Sequence, residues 1–519
     1  MKNNILKIAA TVSLTLLWAT SASAVRVESK QYNLITSRST TTHDASVFVG
    51  TGEQAYIINL ADISVDPASI TGNKTGIILS LPSPTTASLL HWESIKGGYV
   101  ARFRVFANEQ IKRLRLHLTF EGTIPMISFR VQGNLDSSPI ESINNSSIYD
   151  EEIWLPSTNG NSADLEIFVE GSSPEMLNFK IDTINLIVIS LREVGHSHAT
   201  SRSLKLTESE QYDLACWAGN AEYPALKAAA ASTALIYFID KESKTSSACT
   251  GTLLADVGGT FTPWFITANH CLSSQTEADS AEFRWYFQAI TCGEDTVDFR
   301  EHITSGAELL WSDSMQDVSF LKLRDLPPAT ILSGWDTDIQ VGDPVWSVHH
   351  PNTDHTMVSF GKVTEFSTLV QGDDGKVRKL NTVKHEFGGT ESGSSGSGLF
   401  TVENERAYWK GTLHGGPADD YKISYYSHFL SYYTNLKQWL ADPAINCFLN
   451  WAEGFYPNLF SPRGAVTLES SPYTYRYYEN TNAYVGFSSV DGHVYYLGPD
   501  GILVDVGNIS TWLKEAGCS

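Results

Sequence analysis

Leu114, Leu116, Leu118 and Phe120 are apolar, and Arg115, His117 and Thr119 stand between them. A period of two puts one set on each face of a strand, which predicts a half-buried strand in an antiparallel sheet. The pattern recurs at Ile127, Phe129 and Val131 and again over 165–169, with Gly, Pro, Asn and Ser clusters between the runs. Short strands punctuated in this way fold into a sandwich or barrel. Residues 25–195 are therefore expected to form a β-sandwich-like domain.

A chain of 519 residues exceeds what one core organises, and 42% hydrophobic residues suffice to bury several. With 36 Lys and Arg against 58 Asp and Glu, the net charge of −22 repels phosphate backbones. Nucleic acid is excluded as a partner on that ground. Lys2 and Lys7 precede and enter an apolar stretch over 8–18, and Ala22-Ser23-Ala24 follows with a small-residue cleavage pattern. Residues 1–24 are read as a signal peptide, because the apolar stretch falls short of the roughly 20 residues of a membrane span. Export to the periplasm or the extracellular space is expected, with no membrane span.

All six cysteines lie beyond residue 215: Cys216, Cys249, Cys271, Cys292, Cys447 and Cys518. An even number in an exported chain predicts disulfides and leaves about 15 pairings open. No Cys-x-x-Cys pair is present, so no metal site is expected. Residues 196–205 are polar and aperiodic and read as a linker. Residues 206–451 carry five of the cysteines and mostly short strands, with a helix over 432–440 that places Leu436, Trp439 and Leu440 on one face. Residues 454–519 form a third segment, Tyr-rich and strand-like, closed by a short helix over 510–516.

Three motifs of the middle segment carry chemistry. Phe265-Ile266-Thr267-Ala268-Asn269-His270-Cys271 is an apolar strand ending in a His beside a Cys. A histidine held in one tautomer at a strand end suits a general base. Asp317 opens the run Val318-Ser319-Phe320-Leu321, where a carboxylate can sit buried and receive the Nδ1 hydrogen of His270. Asp313 competes less well, since no apolar strand follows it directly. Gly393-Ser394-Ser395-Gly396-Ser397-Gly398 alone would pass for a flexible linker, but Leu399-Phe400 follows at once. Its glycines allow the N–H groups of Gly393 and Ser395 to face inward as an oxyanion hole. His270, Asp317 and Ser395 lie 47 and 78 residues apart in an order that separates the chymotrypsin arrangement from those of subtilisins and α/β-hydrolases.

With Ala248-Cys249-Thr250-Gly251, Ser333-Gly334-Trp335-Asp336, His349-His350-Pro351-Asn352 and Leu413-His414-Gly415-Gly416-Pro417, the chain resembles the chymotrypsin superfamily. Within it, the resemblance is to the bacterial lysyl endopeptidases. It covers about residues 210–450. It implies an all-β chymotrypsin-like double barrel, made as a precursor with an N-terminal propeptide domain, that hydrolyses peptide bonds without a cofactor. His270, Asp317 and Ser395 would be its triad. Protein or peptide substrates and a monomeric state are expected. The resemblance further suggests disulfides Cys249–Cys271 and Cys216–Cys292, leaving Cys447 to pair with Cys518. Maturation is expected near Arg202 or Lys205.

Many trypsin-like enzymes have an Asp immediately before the nucleophile that pairs with the freed N-terminal ammonium. Ser394 stands there, so no such ion pair is expected. Gly389, six residues before the nucleophile, and Thr390 are read as substrate-binding, with His414 shaping the cleft and Gly415 leaving room for an extended substrate. Ser424 occupies the position of the family's lysine-binding aspartate. Because a buried cation needs a carboxylate partner, lysine specificity is not carried over. Asp419 and Asp420 are read as solvated, and His349 and His350 as packing. The competing reading is a non-catalytic secreted adhesive or binding protein on a protease fold.

Overall fold

The computed structural model describes residues 26–31, 55–188 and 211–441, with breaks at 67–68, 136–142, 172, 241–242, 257–260, 295–300, 326, 328–329, 373 and 418, and five strands between 465 and 508. The expected signal peptide, the linker at 196–205, Cys447, Cys518 and the helix at 510–516 fall outside the described residues.

The alternating N-terminal runs build two facing sheets. One sheet orders Tyr56–Leu60, Gly98–Ala107, Ser162–Glu170, Ile127–Gly133 and Ile143–Asn144, with Trp92–Ile95 on Gly98–Ala107. The other brings Glu152–Trp154, Arg113–Phe120, Phe179–Ile187 and Lys74–Thr86 side by side. Phe103, Leu116, Leu118, Phe129, Ile167 and Phe179 fill the space between them. The hydrophobic effect on these inward faces holds the sandwich together, at about 2–3 kcal/mol for each fully buried large side chain.

The half-buried strand expected over 114–120 is a correction. Arg113–Phe120 is buried on both faces, with Arg113 and Arg115 each only 1% exposed. Arg113 and Arg115 on its polar face lie against the 206–451 segment, and His117 lies against Glu152, Trp154 and Asp182 of the sandwich, so the alternation does not mark a core and a solvent side. Ser157 donates its N–H and hydroxyl to the Glu282 carboxylate at 2.7 and 2.6 Å. Arg113 and Arg115 lie 3.7 and 3.6 Å from that same carboxylate.

The second sheet continues from Lys74–Thr86 into Thr245–Leu254, Thr233–Asp240, Glu282–Trp285 and His302–Ser305. Trp264–Thr267 joins Thr245–Leu254 to Val318–Leu323, which also pairs Ala307–Asp313. These strands curl around Ile236, Phe238, Leu253, Phe265, Phe283 and Leu321 as a first barrel. Six further strands close a second barrel: Arg406–Gly415, Gly398–Glu403, Pro344–His349, Met357–Gln371, Val377–Phe387 and Ile423–Tyr426, the last returning to the first. Val345, Val363, Val383, Leu399 and Leu413 fill it. The protein is thus an all-β chymotrypsin-like double barrel preceded by a sandwich.

The helix Leu430–Leu440 begins two residues earlier than expected and buries Leu436 and Leu440 between the barrels. Arg26–Val27 pairs with Gly334–Asp336, and Lys30–Gln31 with Ile331–Leu332. The far C-terminal strands, Ala465–Ser470 to Leu503–Asn508, form their own five-stranded antiparallel sheet.

Candidate active site

Each motif leaves or enters a barrel strand where the two barrels meet. His270 follows Trp264–Thr267, and the neighbouring Cys271 is bonded to Cys249 on the adjacent strand. Asp317 precedes Val318–Leu323 with φ of 53°, a left-handed conformation that Asp tolerates better than most residues. Its Oδ1 accepts the His270 backbone N–H at 2.9 Å and its Oδ2 accepts His270 Nδ1 at 2.8 Å. The carboxylate therefore fixes both the position and the tautomer of the imidazole. Asp313 instead caps its own turn through Met315 N and Gln316 N. The second disulfide of the described residues, Cys216–Cys292, ties the segment before the first barrel to the loop after Glu282–Trp285.

Asp317 has a second imidazole. His414 Nδ1 donates to the same Oδ2, and the two rings meet edge to face at 5.8 Å. Burial alone would raise the Asp317 carboxyl, but the charge of His270 and hydrogen bonds from His270 and His414 outweigh it and hold the group well below the usual carboxylate range. His414, expected to shape the substrate cleft, thus sits on Asp317. A carboxylate partner 97 residues away leaves no local signal in the sequence.

The Ser395 loop needs its glycines. Gly393 has φ of 87°, and a Cβ there would approach the His350 carbonyl to 2.8 Å. At Gly396, with φ of 84°, a Cβ would lie 2.2 Å from Thr267 Oγ1. Only glycine turns the loop tightly at both places, against the 350–353 turn at Gly393 and against the first barrel at Gly396. Ser395 O accepts Thr250 N–H at 2.8 Å, joining the loop to the Cys249 strand. The Ser395 hydroxyl accepts from Asn73 Nδ2 at 3.4 Å, and no hydrogen bond joins it to His270 among the described residues.

Ser394 is fully buried and bonds His349 Nδ1 at 2.8 Å, while His349 Nε2 bonds Ser359 Oγ at 2.9 Å. His349, read as packing, is thus also the neutral hydrogen-bonding partner of the residue before Ser395. His350 is buried and bonds the Asp354 carbonyl through Nδ1 at 2.9 Å. Ser359 also holds Gly389, accepting its N–H at 2.9 Å and donating to its carbonyl at 3.1 Å.

Thr390 Oγ1 and Ser424 Oγ lie 2.7 Å apart, and His385 Nε2 lies 3.0 Å from Ser424 Oγ. This buried polar group contains no carboxylate. Asp419 and Asp420 are exposed, and Asp420 caps Lys422 N at 3.0 Å. A Cβ on Gly415 would meet nothing within 4 Å, so the strand edge beside it is open. Among the described residues here, His270, Asp317 and His414 lie close enough together to hold a metal ion, as do Cys249, His270 and Cys271. The two cysteines are bonded to each other, and Asp317 Oδ2 already takes the Nδ1 hydrogens of both histidines.

Residues 206–428 match the family model described as the lysyl endopeptidase C-terminal domain, and residues 66–188 match the lysyl endopeptidase N-terminal domain. A lysyl endopeptidase of Pseudomonas aeruginosa is 27% identical over 300 residues, covering 56% of this chain and 63% of the relative. A secreted RxLR effector protein 73 of Plasmopara viticola is 26% identical over 165 residues, 31% of this chain and 39% of its own. The chain thus spans less than two thirds of the length of each of these curated relatives. The active form of the Rv3671c protease of M. tuberculosis is similar over 41% of this chain and 82% of its own, at 18% identity and a TM-score of 0.31. An HtrA-type protease crystallised with a tripeptide covers 42% and 63%, at 18% identity and a TM-score of 0.29.

Proposed function

Because the chain belongs to the lysyl endopeptidase family, matched by both its N-terminal and C-terminal domain models, we propose that it is a secreted serine endopeptidase made as a precursor. The observation that carries this reading is Asp317, which receives both the backbone and the Nδ1 hydrogens of His270. In this reading Ser395 Oγ attacks the scissile carbonyl carbon as His270 Nε2 takes the hydroxyl proton. The oxyanion that forms accepts from the N–H groups of Gly393 and Ser395. Its collapse breaks the C–N bond, and His270 returns the proton to the leaving amine. Water then gives a proton to His270 and attacks the acyl ester, and Ser395 leaves with that proton restored.

Asp317 stabilises the imidazolium of each step, and His414 keeps its carboxylate in place. The residues 25–195 act as a propeptide domain and 206–451 as the protease domain, with a linker between them where maturation occurs. Ser395→Ala and His270→Ala in the matured enzyme should each lower kcat by about a hundred-thousandfold or more. A Ser395→Ala enzyme that kept its peptidase activity would remove the reading.

A further inference from the structure

Asn73, at the head of the Lys74–Thr86 strand of the sandwich, reaches into the centre of the candidate active site. Gly393 N–H donates to Asn73 Oδ1 at 3.0 Å, and Asn73 Nδ2 donates to Ser395 Oγ at 3.4 Å. The same nitrogen lies 3.8 Å from Cys249 Sγ. Ala248 N–H donates to the Asn73 main-chain carbonyl at 2.8 Å. From there the chain runs antiparallel along Thr245–Leu254, with Ser247 opposite Lys74, Ser246 opposite Gly76 and Thr245 opposite Ile77. Ile78 N–H donates to Lys244 O at 3.0 Å, and Thr75 Oγ1 donates to Ser246 Oγ at 3.0 Å.

An oxygen 3.0 Å from Gly393 N stands where a scissile carbonyl must present its own. Here that oxygen belongs to a side-chain carboxamide, with its nitrogen turned on the nucleophile. Gly72, with φ of 63°, turns the chain just before Asn73. The backbone thus enters along the 245–248 edge and never offers a peptide bond at Ser395. Strand addition to a free edge supplies the main-chain bonds, and the carboxamide supplies the specific contact.

We propose that Asn73 is a built-in plug: its carboxamide occupies the oxyanion hole while residues 73–77 dock as an added strand on the 245–248 edge. Gly76 suits the crowded position beside the neighbouring Phe179–Ile187 strand, since a Cβ there would lie 2.1 Å from the Leu186 carbonyl. The buried contact of Arg113 and Arg115 with Glu282 anchors the sandwich that carries the plug. The proposal rests on the reading of Ser395 as nucleophile.

The test is the rate at which a fluorophosphonate labels the intact full-length chain, scored only on the uncleaved band. Wild type, Asn73→Ala and Asn73→Leu would be compared, the last nearly isosteric but without either hydrogen bond, and unchanged thermal melts would show that the variants fold. Matured wild-type enzyme serves as the reference. The wild-type precursor should label at least tenfold more slowly than the matured enzyme, and both variants about tenfold faster than the wild-type precursor. Equal rates for the three precursors, or a wild-type precursor as reactive as the matured enzyme, would overturn the plug while leaving the protease reading intact. A matured enzyme that is never labelled would remove the protease reading instead.

Discussion

Ser424 shows how much one side chain decides. A lysine side chain entering this site would meet Thr390, Ser424 and His385, and among the described residues none of these partners brings a negative charge. Burial, together with the charge of Lys422, pushes the His385 imidazole down to about 3, so the ring is neutral at working pH. An unpaired buried ammonium costs several kcal/mol. Peptide-library profiling of the matured enzyme should therefore show no dominant cleavage after Lys or Arg, and a strong preference for either would contradict the account. Ser394 belongs to the same scale. A hydroxyl bonded to His349 replaces the charge that would wait for a new N-terminus, so loop geometry does not depend on an ammonium. The motifs of His270, Asp317 and Ser395 were legible because each is a short local pattern at a strand end. The role of His414 was not, since it depends on a carboxylate brought close only by the packing of the two barrels against each other.

The Arg113–Phe120 strand is the clearest case where an element could be recognised but its environment could not. Alternation identifies a strand reliably, yet it cannot tell solvent from a polar interface. Arg113 and Arg115 read as outward-facing, and they are buried because Glu282, far along the chain, faces them. Removing that carboxylate takes the anion from Arg113 and Arg115, and also from the buried Arg284 3.7 Å away, which keeps Glu301, at a cost of about 3–5 kcal/mol. Glu282→Gln should therefore lower the thermal stability of the full-length precursor markedly. In the proposed reading the matured enzyme lacks Arg113 and Arg115 and keeps Arg284, which Glu301 still pairs, so it should lose less stability than the precursor. Equal losses in both forms would show that Glu282 serves the barrel alone. Asn73 lay beyond sequence reading for the same reason, since its partners Gly393 and Ser395 stand 320 and 322 residues away.

Across the whole molecule, three neutral imidazoles lie packed beneath the active-site loop. Burial pushes His350 down to about 4, against a raising hydrogen bond to the Asp354 carbonyl, and His385 down to about 3. Burial, with His385 and His350 nearby, holds His349 well below the usual range. In the unfolded chain each returns to about 6.5, so below that pH the unfolded state binds more protons and stability falls with acid. The contribution is complete above about pH 6.5, and about 3 kcal/mol for His350 is lost by pH 4. The depressed Asp317 carboxyl adds a loss of the same sign only below its unfolded value of 3.8. Urea midpoints should drop steadily from pH 7 to pH 4, and a flat profile across that interval would contradict the burial of these rings.

The central claim, that Ser395 is the nucleophile of a peptidase, is tested most directly by the intact mass of the matured enzyme after fluorophosphonate treatment, with the adduct located by peptide mapping. A single adduct on Ser395 is expected, with loss of peptidase activity in proportion to it. An enzyme that cleaves peptides while Ser395 stays unmodified, or an adduct at another residue that abolishes activity, would contradict it.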